Sequence, residues 1–143
     1  MNRERYLVKS FGDNLDGTKA GLTKLIELMD HHKNVVIVVP KIGDVKHTML
    51  MDVLGEKYSK ELVKNRTLTF KDDQRLTLCG HATLKNHKYA DAYLALWGSE
   101  QTIDDIEALP NWKSVVLVTW LPKDSETWER NHAVEIIFND KQG

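Results

Sequence analysis

The chain has 143 residues, enough for one substantial core and too few for two independently stable ones, so residues 1–143 are read as a single domain. Its composition, 41% hydrophobic and 29% charged, is that of an ordinary globular protein; no apolar run approaches a bilayer span, and the opening "MNRERYLVKSFGDN" has no secretory h-region. A soluble, cytoplasmic protein is therefore expected. Cys79 is the only cysteine, which excludes an intramolecular disulfide and a multi-cysteine metal centre. The net charge of −1 hides an asymmetry: residues 1–89 hold 16 Lys/Arg against 11 Asp/Glu, and residues 90–143 hold 4 against 10.

A first strand is predicted at Tyr6–Ser10. Leu22, Leu25, Ile26 and Met29 then form an apolar stripe at helical spacing, with Gly17 and Thr18 near its entrance. "NVVIVVP" at Asn34–Pro40 reads as a strand buried on both faces, the pattern of a parallel sheet covered by helices. Leu50, Val53, Leu54, Tyr58 and Leu62 repeat the helical stripe, but Gly55 argues against an unbroken helix. "NRTLTFKDDQRLTLCG" offers two short alternating runs, either a hairpin across Lys71–Gln74 or one strand in the main sheet with the other at its edge. Buried strands are predicted again at Ala92–Gly98 and Ser114–Leu121. Between them Thr102 and Asp105 have capping-box spacing and Pro110 is a stop. Asp124 or Ser125 can cap a short helix carrying Trp128, and His132–Phe138 reads as a terminal or edge strand. The string predicts a compact three-layer α/β/α domain with a mostly parallel, Rossmann-like sheet.

In such sheets ligands lie beyond the carboxyl ends of the strands. The first such loop, "SFGDNLDGT", carries Gly12, Asp13, Asn14, Asp16 and Gly17: glycines for close backbone approach before a helix N-terminus, but neither the dinucleotide fingerprint nor the P-loop. In "PKIGDVKHT", Lys41 and His47 are candidates for phosphate electrostatics. In "WGSEQTIDD", Gly98, Ser99 and Glu100 follow a strand directly; Ser99 can donate to a ligand and Glu100 can accept from a ribose or act as a base, though Ser99 lacks the nucleophile-elbow setting. Each of these loops has a structural explanation in turns and caps. Cys79, His81 and His87 do not have zinc-finger spacing, no metal site is assigned, and Cys79 reads as a core residue.

"LCGHATL" locally resembles a segment of the phenazine-biosynthesis isomerase-like family, whose fold is related to diaminopimelate epimerases. The resemblance covers about seven residues. That family's second lobe has no room in this chain and its acidic catalytic motif has no counterpart, so no catalytic role is carried over.

No complete catalytic constellation is legible, and the leading reading requires no cofactor. The leading expectation is a binding or regulatory protein of inhibitor, immunity or adaptor type. It would meet a protein partner through Trp112, Trp120 and Trp128 within an acidic C-terminal surface. The alternative is a nucleotide-binding sensor or small nucleotide-handling enzyme, with Gly12–Gly17 and Gly98–Glu100 on opposite sides of a pocket and a divalent ion as an optional companion. A nucleic-acid accessory role ranks last, because Glu56, Glu61, Asp72 and Asp73 interrupt the basic residues. No membrane contact is expected, and oligomeric state is left open.

Overall fold

A computed structural model describes residues 3–12 and 14–139. The strands are β1 (Glu4–Lys9), β2 (Asn34–Val39), β3 (Thr67–Thr69), β4 (Arg75–Gly80), β5 (Ala92–Gly98), β6 (Ser114–Thr119) and β7 (Glu135–Asn139); the helices are α1 (Leu15–Leu28), α2 (Met51–Asn65), α3 (Glu100–Glu107) and α4 (Glu126–Asn131). The strands form one sheet in the order β3-β4-β2-β5-β6-β1-β7, in which only β3 runs antiparallel to its neighbour. This is the three-layer α/β/α domain, with a mostly parallel Rossmann-like sheet, that the periodicity predicts. The ambiguous segment after α2 is both things at once: β3 and β4 make the hairpin, and β4 also pairs with β2 inside the main sheet.

Alternation along the strands divides the core in two. Val35, Ile37, Leu94, Leu96, Val116 and Val118 face α1 and α2, while Val36, Val38, Tyr93, Ala95, Val115 and Leu117 face α3, α4 and a 3-10 segment at His81–His87. The continuous Val/Ile/Leu runs are explained by this burial on both faces. Gly55 does break the α2 region, with φ 81° and ψ 165° inside it. The cap of α3 lies one turn earlier than predicted: Ser99 is the N-cap and Thr102, not Asp105, completes the box.

Helix α1 sits close enough to the sheet to demand glycine. A methyl group at Gly21 would lie 2.3 Å from Val118 Cγ2 and 3.3 Å from Leu94 Cδ1. In an exposed helix Gly→Ala gains up to about 1 kcal/mol; here overpacking reverses the sign, and Gly21→Ala is expected to lose about 1–3 kcal/mol in urea denaturation.

The tryptophan surface expected from the sequence is not formed. Trp112 and Trp128 are 2% and 3% exposed, packed in the core beneath α3 and α4, and Trp120 alone is exposed at 44%. The acidic last third does not form a free partner surface either, because β1 lies beside β6 and β7 and brings basic residues against it. Arg5 pairs with Glu107 at 2.6 Å and Lys9 with Glu129 at 3.4 Å. Two acidic residues of the last third, Glu107 and Glu129, are thus paired with basic residues of the first strand. No helix among the described residues is long and apolar enough to cross a membrane.

Candidate functional site

Strands β2 and β5 are neighbours, yet β2 leads into α2 on one face of the sheet and β5 into α3 on the other. The two connections diverge and leave a crevice at the carboxyl edge, the position where open α/β sheets bind ligands. It has a volume of about 560 Å³ and is lined by Pro40 and Lys41 after β2, Trp97 and Ser99 at the end of β5, Trp120, Leu121 and Asp124 after β6, and Met49. That size falls in the range of small-molecule sites.

Trp97 is the unusual member. Leu96 pairs with Val118 and Gly98 with Thr119, so Trp97 is an extra residue bulged out of β5, and its φ is +57°. A bulky side chain in the left-handed region costs about 1–3 kcal/mol and persists only where surrounding contacts enforce it. Here the indole Nε1 donates to Thr18 Oγ1 at 3.0 Å, tying the ring to the buried first turns of α1. Bulges of this kind re-aim side chains at sheet rims.

The other walls are held by local bonds. Gly12, at φ +65°, donates its N–H to the carbonyl of Trp120 at 2.7 Å, and Ser10 and Thr119 exchange buried hydrogen bonds beneath it. The loops after β1 and β6 are therefore joined. Asp124 Oδ2 accepts from the Leu121 N–H at 3.1 Å, which shapes the Trp120 loop.

Beside the crevice, a chain of side-chain bonds runs across the start of α3. The box itself consists of Ser99 N–H donating to Thr102 Oγ1 at 3.2 Å and Thr102 N–H donating to Ser99 Oγ at 3.3 Å, with the two hydroxyls 3.2 Å apart. Thr102 Oγ1 also lies 3.5 Å from His81 Nδ1, and His81 Nε2 lies 2.6 Å from Asp105 Oδ2, whose other oxygen accepts from Gln101 Nε2 at 2.8 Å. With its proton on Nε2, a neutral His81 imidazole would donate to the Asp105 carboxylate and present Nδ1 as an acceptor to the threonine hydroxyl. Every hydroxyl hydrogen can then point one way, from Ser99 through Thr102 to His81. His81 and Asp105 themselves line a second cavity, of about 660 Å³, which shares Pro40 with the first.

The sequence-predicted residues divide accordingly. Lys41 and Ser99 line the crevice; Glu100 is exposed at the start of α3 and, with His47 in its 3-10 turn, is not among the lining residues. Gly17 and Gly98 have packing reasons, since a Cβ would meet Ser10 Cβ at 2.7 Å and Leu117 Cδ1 at 2.9 Å respectively, while Gly12 holds the Trp120 loop. Asp13 lies outside the described residues. Sequence reasoning missed the bulge at Trp97, because nothing in "LALWGSE" announces one, and missed the pairing of His81 with Asp105, 24 residues away. Cys79 is buried, and desolvation pushes its thiol up to about 11, which removes it as a nucleophile near neutral pH. Among the described residues no cluster of His, Cys, Asp and Glu is arranged to hold a metal. Compared with known proteins, the chain matches no family model, and no curated protein or solved structure matches it at a significant level.

Proposed function

We propose that this chain is a small-molecule-binding α/β domain whose ligand, a planar organic anion of the nucleotide class, enters the crevice between β2 and β5. One observation carries the reading: Trp97 is held in a costly left-handed bulge at the point where the sheet connections diverge, as a wall of that crevice. Trp97 and Trp120 offer ring faces, Lys41 supplies the positive charge, and Ser99 supplies a hydroxyl. The aromatic surface that favoured a macromolecular partner is not formed, which moves weight to this alternative.

The test is a titration of the full chain with AMP, ATP, GTP and NAD, followed by tryptophan fluorescence. A saturable change is expected for at least one of them, coming from Trp97 and Trp120 because Trp112 and Trp128 are buried away from solvent. Lys41→Ala is expected to weaken the response about tenfold or more, the scale of one charge-assisted hydrogen bond. No response to any of the four, or equal affinity in Lys41→Ala and Trp120→Ala, refutes the assignment.

A further inference from the structure

We infer that the ligand of the crevice is a dinucleotide, whose second nucleoside lies in the neighbouring cavity beside His81 and Asp105. This rests on the crevice being a nucleotide site, and it adds a second half to that site. The loops at the carboxyl edge follow the strand order β4-β2-β5-β6. The crevice covers the ends of β2, β5 and β6, while the second cavity covers the ends of β4 and β2 and is walled by the last turn of α3. Pro40 lines both. It stands at the end of the strand about which the order reverses: from β2 the chain steps outward to β4, then crosses back to β5 on the other side of β2. An open α/β sheet binds a dinucleotide across such a point, with one half on each side.

The two cavities are of similar size, about 560 and 660 Å³, each within the range of a small-molecule site, so a mononucleotide in the crevice leaves the second unfilled. Their chemistry suits two different halves. The crevice offers the indoles of Trp97 and Trp120 to a base, whereas Leu84, Ala108 and Leu109 give the second cavity an apolar lining and Asp105 gives it an acceptor. Asp105 lies beyond the first turn of α3, so capping does not account for its bonds to His81 Nε2 at 2.6 Å and Gln101 Nε2 at 2.8 Å. Those bonds fix the direction of the carboxylate and leave each oxygen a lone pair for a ribose hydroxyl. Lys41 in one lining and Lys85 in the other are both exposed and bring positive charge to the linking phosphates from the two sides of Pro40. Pro40 is itself exposed, so phosphates that cross it keep much of their water.

The experiment is a calorimetric titration of the full chain with AMP, ADP, NAD and diadenosine pyrophosphate. Both dinucleotides are expected to bind about tenfold or more tightly than ADP, the scale of one further charge-assisted contact. Lys85→Ala removes the charge of the second cavity, Asp105→Ala its acceptor, and Ala108→Phe fills it from an exposed rim position. Each should bring the dinucleotides down to the level of ADP and leave AMP and ADP as in the wild type, at unchanged helicity by circular dichroism. Lys41→Ala should weaken all four ligands. Dinucleotides that bind no tighter than ADP overturn the second half and leave the crevice standing. A dinucleotide advantage that survives both Lys85→Ala and Ala108→Phe overturns the proposal as well. Failure of all four ligands to bind overturns it together with the nucleotide reading.

Discussion

Trp112→Ala is expected to be the most damaging single truncation, costing about 3–5 kcal/mol, a large share of the roughly 5–15 kcal/mol that holds a domain together. The indole is 2% exposed and fills the space under α3, with the Arg3 guanidinium 4.1 Å and the Arg5 guanidinium 5.3 Å from its ring centre. Arg3 is fixed there by donating to the carbonyls of Trp112, Leu109 and Pro110. Removing the ring therefore leaves a cavity and two cations without their aromatic face. Trp112→Phe separates these effects. The Nε1 of Trp112 is buried with no hydrogen-bond partner among the described residues, so phenylalanine keeps much of the packing and removes an orphaned donor. Its loss in a urea titration should be markedly smaller. Equal losses for Ala and Phe would mean that only the full bicyclic ring fills the site and faces the two guanidiniums.

The second large effect centres on Glu107. Its carboxylate receives Arg5 Nε at 2.6 Å and Nη2 at 2.9 Å, and Trp128 Nε1 at 2.8 Å, with His132 Nε2 at 3.9 Å. Burial alone pushes its pKa upward, but the hydrogen bonds from Arg5 and Trp128 together outweigh it and hold the group below its ordinary 4.5. Glu107→Ala is expected to cost about 3 kcal/mol, because a part-buried guanidinium and an indole N–H are left unpaired. The pH dependence has a definite sign. A depressed carboxyl contributes stability that is complete above its unfolded value and lost as pH falls through its folded one. Below about pH 4.5 the wild type should thus lose stability more steeply than Glu107→Ala, and the gap between their urea midpoints should narrow toward acid. A constant gap would mean that Glu107 acts by shape and not by charge. Because Arg5 touches both Trp112 and Glu107, the two alanine substitutions should combine non-additively.

These contacts also mark the limit of what the sequence could show. Strands β2, β5 and β6 were legible because burial on both faces leaves an unbroken apolar run, and the α1 and α2 stripes because each covers one face. Even the weak point at Gly55 was visible. The position of Trp112 was not: an aromatic residue between Pro110 and Lys113 has the same local pattern whether it packs inward or anchors a partner, and only the arrival of Arg3 and Arg5 from over a hundred residues away decides it. The crevice was partly legible. A rule about strand ends selected Lys41 and Ser99, which line the crevice, and also His47 and Glu100, which do not. Trp97 depends on a one-residue slip between β5 and β6, a property of the pair and not of either strand. His81 was read against Cys79 and His87 for metal spacing, and its partner Asp105 was read as a capping residue.

The sheet order imposes a schedule on folding. Strand β1 lies between β6 and β7, so residues 4–9 find their hydrogen-bonding neighbours only in residues 114–118 and 135–139. During synthesis at about 5–20 residues per second, that first strand stays unpaired until most of the chain has been made. β2, β4 and β5 are complete by Gly98 and can associate earlier. Contacts of such sequence separation slow folding, and an early strand awaiting its neighbours is the segment through which a nascent chain of this topology would misassociate.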